Sequence, residues 1–316
     1  MSFDPVSFDP VGLDPVGFDT DGLARVLAAH GAIVRVVVAE VQGSAPREVG
    51  AAMLVWKDGQ EGTIGGGALE YQAAQGAREM LAHGTAQRFV RAILGPDMGQ
   101  CCGGAVALLC ERFDRVPETG AVFLRQVEEG ADAPDETAPD APCLQDGWFN
   151  EPVDPARVPV WIWGAGHVGR SLARVLAPLP RLGVTWVDTA AERFPDPLPE
   201  GISQRVSSEI ADAVPEAPKT AHHFIFTYSH DLDFALCDAV LRHGFQSAGL
   251  IGSATKWARF RSRLGQIGHA PADIDRIRCP IGTPALGKDP GIIAVGAAHA
   301  LLMDLAKQEA VGPVAG

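Results

Sequence analysis

Three observations predict an α/β protein, with an N-terminal α/β domain joined to a C-terminal Rossmann-like doubly wound parallel sheet. Two glycine-rich turns, Gly62-Thr63-Ile64-Gly65-Gly66-Gly67 and Gly164-Ala165-Gly166-His167-Val168-Gly169, each open a helical pattern, the second directly after an apolar run. An acidic stretch between them, EEGADAPDETAPDAP, is too poor in large apolar residues to offset its ordering entropy. After that stretch, strand patterns alternate with helical ones, the signature of a parallel sheet. A length of 316 residues suits two domains at roughly 150 residues each.

The opening MSFDPVSFDPVGLDPVGFD repeats a Phe/Leu-Asp-Pro-Val unit whose prolines forbid a regular helix, so residues 1–20 read as a flexible tail. The N-terminal domain is expected over 21–126. DGLARVLAAHG has helical periodicity and ends in glycine. Ala32–Val41 and Ala51–Trp56 are strand-like, the latter closed by a Lys57-Asp58-Gly59 turn. The first glycine turn then opens a helix to about His83, and Arg88–Leu94 and Ala105–Glu111 are further strands. Residues 127–157 read as an acidic linker and 158–306 as the Rossmann-like domain, leaving 307–316 as a second tail. Within that domain Pro159–Trp163, Gly183–Val187, His223–Tyr228 and Ala248–Ile251 are strands, with helices at His167–Ala177 and Asp231–His243.

The net charge of −13 is local. The first 24 residues hold five acids and no base, and residues 114–154 hold eleven acids against Arg115 and Arg125, so these segments carry the whole excess. Nucleic acid is not an expected partner, because no basic footprint exists. Nor is a membrane: the N-terminus lacks a signal-peptide pattern and no run approaches about 18 apolar residues. Six scattered cysteines do not make a disulfide framework, and the expected location is the cytoplasm.

The Gly164, Gly166 and Gly169 fingerprint follows a strand, opens a helix and precedes Asp188, the position of a ribose-binding acid. With His167, these residues are candidates for a phosphorylated ligand; a turn retained only for packing is the alternative. Gly65, Gly66 and Gly67 form a second candidate anion nest, with tight packing equally open. Arg47, in Ser44-Ala45-Pro46-Arg47-Glu48, could reach an anion or pair with Glu48. Ser229 and His230 follow a strand at the edge where α/β sheets bind ligands, and Ser253, Thr255 and Lys256 repeat that placement. Ser229 is also a natural helix cap. Finally, Gln100, Cys101 and Cys102 lie in the loop GPDMGQCCGG. Adjacent cysteines close into a disulfide only with strain, so reduced thiols are expected.

GSAPREVGAAMLV, GTIGGGALE, LGPDMGQCCGG, VWIWGAGHVGRSL with VTWVD, SHDLD, GLIGSATKWARF and CPIG occur in this order. Together they resemble the XdhC/CoxI family over about Asp21 to Leu305. The resemblance implies a molybdenum cofactor (molybdopterin) chaperone without turnover of its own. Such a protein protects the cofactor, supports its sulfuration and delivers it to apo-xanthine dehydrogenase. The implied partners are that apoenzyme, a cysteine desulfurase, molybdenum cofactor biosynthesis proteins and a second copy in a homodimer. Cys101 and Cys102, soft sulfur ligands, are then candidates to contact molybdenum, with Gln100 as a neighbouring donor. The Rossmann candidates would take pterin, phosphate or an accessory nucleotide. An NAD(P)-dependent oxidoreductase with His230 as proton donor is the alternative reading.

Overall fold

The computed structural model describes residues 17–94, 103–132, 139, 141–282 and 284–311. The chain divides into two compact units, Met1–Ala156 and Arg157–Gly316.

In the first unit α1 (Thr20–His30) leads into β1 (Ile33–Gln42), β2 (Ala52–Val55), β3 (Gln60–Gly62), α2 (Gly67–His83), β4 (Gln87–Ile93) and β5 (Ala105–Phe113). The five strands pair antiparallel in the order β3-β2-β1-β5-β4. β1 is apolar from Ile33 to Ala39 apart from Arg35, because both of its faces are covered. Val34, Val36 and Val38 share a core with Leu69, Ala77 and Met80 of α2, whereas Val37 and Ala39 meet Phe149 on the other face. Strand ends fall within about two residues of the expected ones, the usual margin.

Two expectations need correction here. The segment 127–157 is not simply a linker. β6 (Val122–Gln126), β7 (Cys143–Gln145) and β8 (Trp148–Pro152) form an antiparallel sheet in the order β6-β8-β7. Asp146 (φ 49°) and Gly147 (φ 78°) turn the β7–β8 hairpin, both with the positive φ that such two-residue turns favour. Acid content concealed these strands. Glu151 is fully buried and accepts from Arg35 Nη1 and Nη2 at 2.9 and 2.7 Å and from Arg125 Nη2, which also pairs with Glu111 through its Nε. The tail also ends earlier than residue 20. Phe18 is buried, its N–H donates to Pro152 O at 2.8 Å, and its ring lies 4.5 Å from that of Phe123 and 5.2 Å from the Arg35 guanidinium. The last repeat carries Thr20 where earlier copies carry proline. Thr20 can therefore donate N–H and Oγ1 to Asp154 at 2.9 and 2.5 Å, while Asp19 caps α1 at Gly22 N.

The second unit contains β9 (Val158–Trp163), α3 (His167–Leu176), β10 (Leu182–Asp188), β11 (Ile202–Val206), β12 (His222–Ile225), α4 (His230–His243), β13 (Ser247–Leu250), α5 (Ala254–Gln266), α6 (Pro271–Ile274), β14 (Ile277–Arg278) and α7 (Pro290–Val311). All six strands are parallel, in the order β11-β10-β9-β12-β13-β14. This is the doubly wound order, with its topological switch between β9 and β12. Ile162, Leu172, Trp186, Phe224 and Ala297 form the core on the α3/α7 face. Trp163, Leu236, Val240, Leu250 and Phe260 form it on the α4/α5 face. Trp163 Nε1 donates to His223 Nδ1 at 3.0 Å; burial, reinforced by His243 and His222, pushes that imidazole down to about 3.

α7 runs to Val311, so the expected C-terminal tail begins later than 307. Its window Pro290–Lys307, with mean hydropathy 1.2, is long and apolar enough by length and composition to cross a bilayer. The sequence reading missed this run. Ala294, Ala297, Ala298 and Leu301 of the same helix are nevertheless packed into the core of the second unit.

Candidate functional site

Cys101, Cys102 and Gln100 lie outside the described residues, but both ends of their loop are described. Leu94, just past β4, donates its N–H to Gly104 O at 2.8 Å, closing the loop's base ahead of β5. Gly104 is pressed against the turn that follows β1: a Cβ there would stand 2.3 Å from Ser44 O and 2.6 Å from Gln42 O. Farther along that turn, a Cβ on Gly65 (φ 118°) would stand 2.4 Å from Pro46 Cβ and 3.4 Å from Arg47 Cγ. The segment Ser44–Arg47, with Arg47 half-buried, thus sits between the cysteine loop's base and the Gly62–Gly67 turn. Close backbone approach at two glycines brings these three distant motifs together. We expect Gly104→Ala to lower the stability of the full chain by about 1–3 kcal/mol in urea titration, as overpacking does where backbone cannot yield.

In the Gly62–Gly67 turn the packing alternative prevails over the anion nest. The turn's amides already hold a carboxylate of this chain. Glu70 Oε2 accepts from Ile64 N and Gly66 N at 3.0 Å each and from Thr63 Oγ1 at 2.5 Å; its Oε1 accepts from Gln60 Nε2 at 3.1 Å. Gly66, the N-cap of α2, and Gly67, its first residue, have φ of 73° and 66°. Their conformation and the internal carboxylate account for the glycines through packing and capping.

In the second unit the glycine fingerprint is built as its spacing predicts. Gly164 (φ 111°) touches the exit of β12, where a Cβ would lie 2.5 Å from Phe226 O. Gly169 on α3 packs on Gly164 itself, a Cβ there lying 2.0 Å from Gly164 O. Gly166, the N-cap of α3, is different: a Cβ there would meet nothing within 4 Å. Open space therefore faces the start of α3, where His167 is exposed. Asp188, at the end of β10, is buried and turned toward the glycine turn. Its Oδ2 accepts from Ala165 N at 2.5 Å and its Oδ1 from Thr189 N at 2.6 Å, with Arg193 Nε 2.8 Å away. Asp188 clamps the turn, a role its spacing did not disclose.

The remaining candidates surround the same sheet edge. Ser229 caps α4 by accepting from Asp231 N at 3.2 Å, and His230 is exposed beside it. Ser253 likewise caps α5, and Thr255 is exposed. Lys256, read as an anion contact, has its ammonium on Asp233 Oδ2 at 2.5 Å and on Ile251 O at 3.0 Å. Asp233 Oδ1 also accepts from Thr227 N and Oγ1 at 3.0 and 2.6 Å. This buried pair ties the loop after β12 to the loop after β13. Sequence reasoning missed Glu70, Arg193 and Asp233. A signal existed for two: Glu70 follows Gly66 near capping-box spacing, and Asp233 interrupts the helical stripe of Leu236, Cys237 and Val240.

A protein of Escherichia coli (strain K12) described as uncharacterized protein YqeB is 25% identical over 267 residues. The match takes in 82% of this chain and 41% of that relative, so the chain spans about two fifths of the curated relative's length. A crystal structure described as a xanthine dehydrogenase from Bacillus halodurans has the same fold, with a TM-score of 0.68 at 19% identity, covering 92% of this chain and 96% of that one. Residues 160–299 match the model described as the XdhC Rossmann domain, and residues 26–92 match that of the XdhC and CoxI family. The two matched segments contain every motif quoted above except LGPDMGQCCGG, and the chain belongs to the XdhC and CoxI family.

Proposed function

We propose that the chain is a maturation accessory protein that binds molybdenum cofactor, protects it, supports its sulfuration and hands it to apo-xanthine dehydrogenase. The observation that carries this reading is the packing of Ser44–Arg47 between Gly65 and Gly104, which sets the base of the cysteine loop among the family's other first-unit motifs. Cys101 and Cys102 would hold the molybdenum end, since thiolate is a soft donor. The cofactor, when bound, supplies a sulfur-ligated metal on an anionic pterin phosphate. The Gly62–Gly67 turn does not fit its phosphate, because Glu70 fills the amides. The Gly164–Gly169 turn fits a phosphate better, with open space at Gly166, and the second unit would take a phosphorylated ligand there, pterin or nucleotide. A cysteine desulfurase and the cofactor's biosynthesis proteins are the partners this role requires, and a homodimer is the proposed assembly.

The test is protein purified from cells that make the cofactor, with bound pterin measured by fluorescence after oxidation. Stoichiometric pterin is expected for the native chain, and background levels for a Cys101→Ala/Cys102→Ala double variant of unchanged thermal stability. Full retention by the double variant would remove the thiols from the reading. Activation of cofactor-free xanthine dehydrogenase with and without the loaded chain tests delivery.

A further inference from the structure

β10, β9 and β12 lie side by side, so a contact between the loop after β10 and the loop after β12 joins the two sides of β9 at the carboxyl edge. Arg193, five residues past β10, makes such a contact with Tyr228, three residues past β12. Its backbone is fixed on the near side by Arg170 of α3, which donates from Nη2 to Arg193 O at 2.5 Å and from Nε to Ala165 O at 3.0 Å. Its guanidinium lies 4.0 Å from the centroid of the Tyr228 ring on the far side. Tyr228 itself is 63% exposed. The contact therefore crosses the mouth of the switch-point crevice, over the turn that opens at Gly166.

Two details distinguish this bridge from a fixed structural tie. Arg193 Nε is 2.8 Å from Asp188 Oδ1 yet makes no hydrogen bond of good angle, so charge and an aromatic face hold the guanidinium. The amides of Ala165 and Thr189 also bind the two oxygens of Asp188, so its clamp on the glycine turn does not rest on Arg193 alone. A swing of the outer guanidinium nitrogens that keeps Nε beside Asp188 leaves the glycine turn held. An anion arriving at the start of α3 offers it a stronger partner than the exposed ring, since a charge-assisted hydrogen bond exceeds an exposed cation–π contact.

We propose that Arg193 and Tyr228 form a displaceable strap across the crevice, and that the phosphate of a bound nucleotide opens it by drawing the guanidinium off the ring. This rests on reading the second unit as a phosphate-binding unit. The strap makes Arg193 an anion receptor and Tyr228 its resting partner.

The test uses the full chain and ADP as probe, by isothermal titration calorimetry. Tyr228→Ala removes the resting partner and is expected to tighten ADP binding about two- to fivefold, the equilibrium factor of one exposed cation–π contact. Arg193→Gln should weaken it about tenfold or more, the factor of a lost charged hydrogen bond. Gly166→Asp, tolerated sterically, sets a carboxylate at the phosphate position and should abolish binding. If the native chain binds ADP, Gly166→Asp loses it and Tyr228→Ala is unchanged or weaker, the strap is overturned and the phosphate site stands. If neither the native chain nor Tyr228→Ala binds ADP, the phosphate-binding reading falls and the strap with it.

Discussion

Glu151→Leu should destabilise the full chain by about 3–5 kcal/mol in urea titration, the cost of removing one partner from a buried ion pair. Two guanidiniums, Arg35 and Arg125, converge on this fully buried carboxylate, and the substitution leaves both without it. Burial alone would raise Glu151, but Arg35 and Arg125 outweigh it and hold the carboxyl below its ordinary 4.5. Glu111, in the same network, moves the other way: burial outweighs Arg125 and Arg35 and pushes it up. The signs therefore differ. The contribution of Glu151 is complete above about pH 4.5 and is lost as pH falls through its lower folded value. Ionisation of Glu111 opposes folding above its ordinary range. Glu111→Gln should accordingly cost much less than Glu151→Gln at pH 7. Equal costs would show that the network acts through packing alone.

Asp233→Ala is expected to cost a similar 3–5 kcal/mol, for a different reason. Lys256 would lose its carboxylate partner while its side chain remains only 9% exposed, and Thr227 would lose both bonds that orient the loop after β12. A double variant, Asp233→Leu with Lys256→Met, removes the orphaned charge and should recover part of the loss, since apolar replacements of buried ion pairs are often near neutral. Unfolding of the native chain, Asp233→Leu, Lys256→Met and the double variant closes the cycle, with Asp233→Ala measured beside them. A double variant less stable than Asp233→Ala would mean that loop geometry dominates, and charge burial does not.

What the sequence disclosed follows from how locally each feature is determined. The β-branched run of β1 and the fingerprint from Gly164 to Gly169 are written in consecutive residues, and both appear where expected. β7 and β8 escaped notice because they lie in a segment whose acids looked solvated, and Glu151 is compensated by arginines 116 and 26 positions away in sequence. β11 shows four exposed positions at a sheet edge and β14 has only two residues, so neither carries a strong pattern. In the site, the glycines were legible and their occupants were not. Glu70 on the first turn, Asp188 on the second and Asp233 on Lys256 are choices of partner, which depend on how loops meet in space.

The contact between Thr20 and Asp154 also marks which copy of the repeat is joined to the first unit. Every copy of the five-residue unit upstream of Gly17 has proline at the position of Thr20, which lacks the N–H and hydroxyl that Asp154 receives. Gain or loss of whole upstream copies, the common outcome of replication slippage in a short repeat, would keep Thr20 as the partner of Asp154. A threonine-to-proline change in the last copy would erase that boundary marker, and Phe18 would lose its fixed place in the order of repeats.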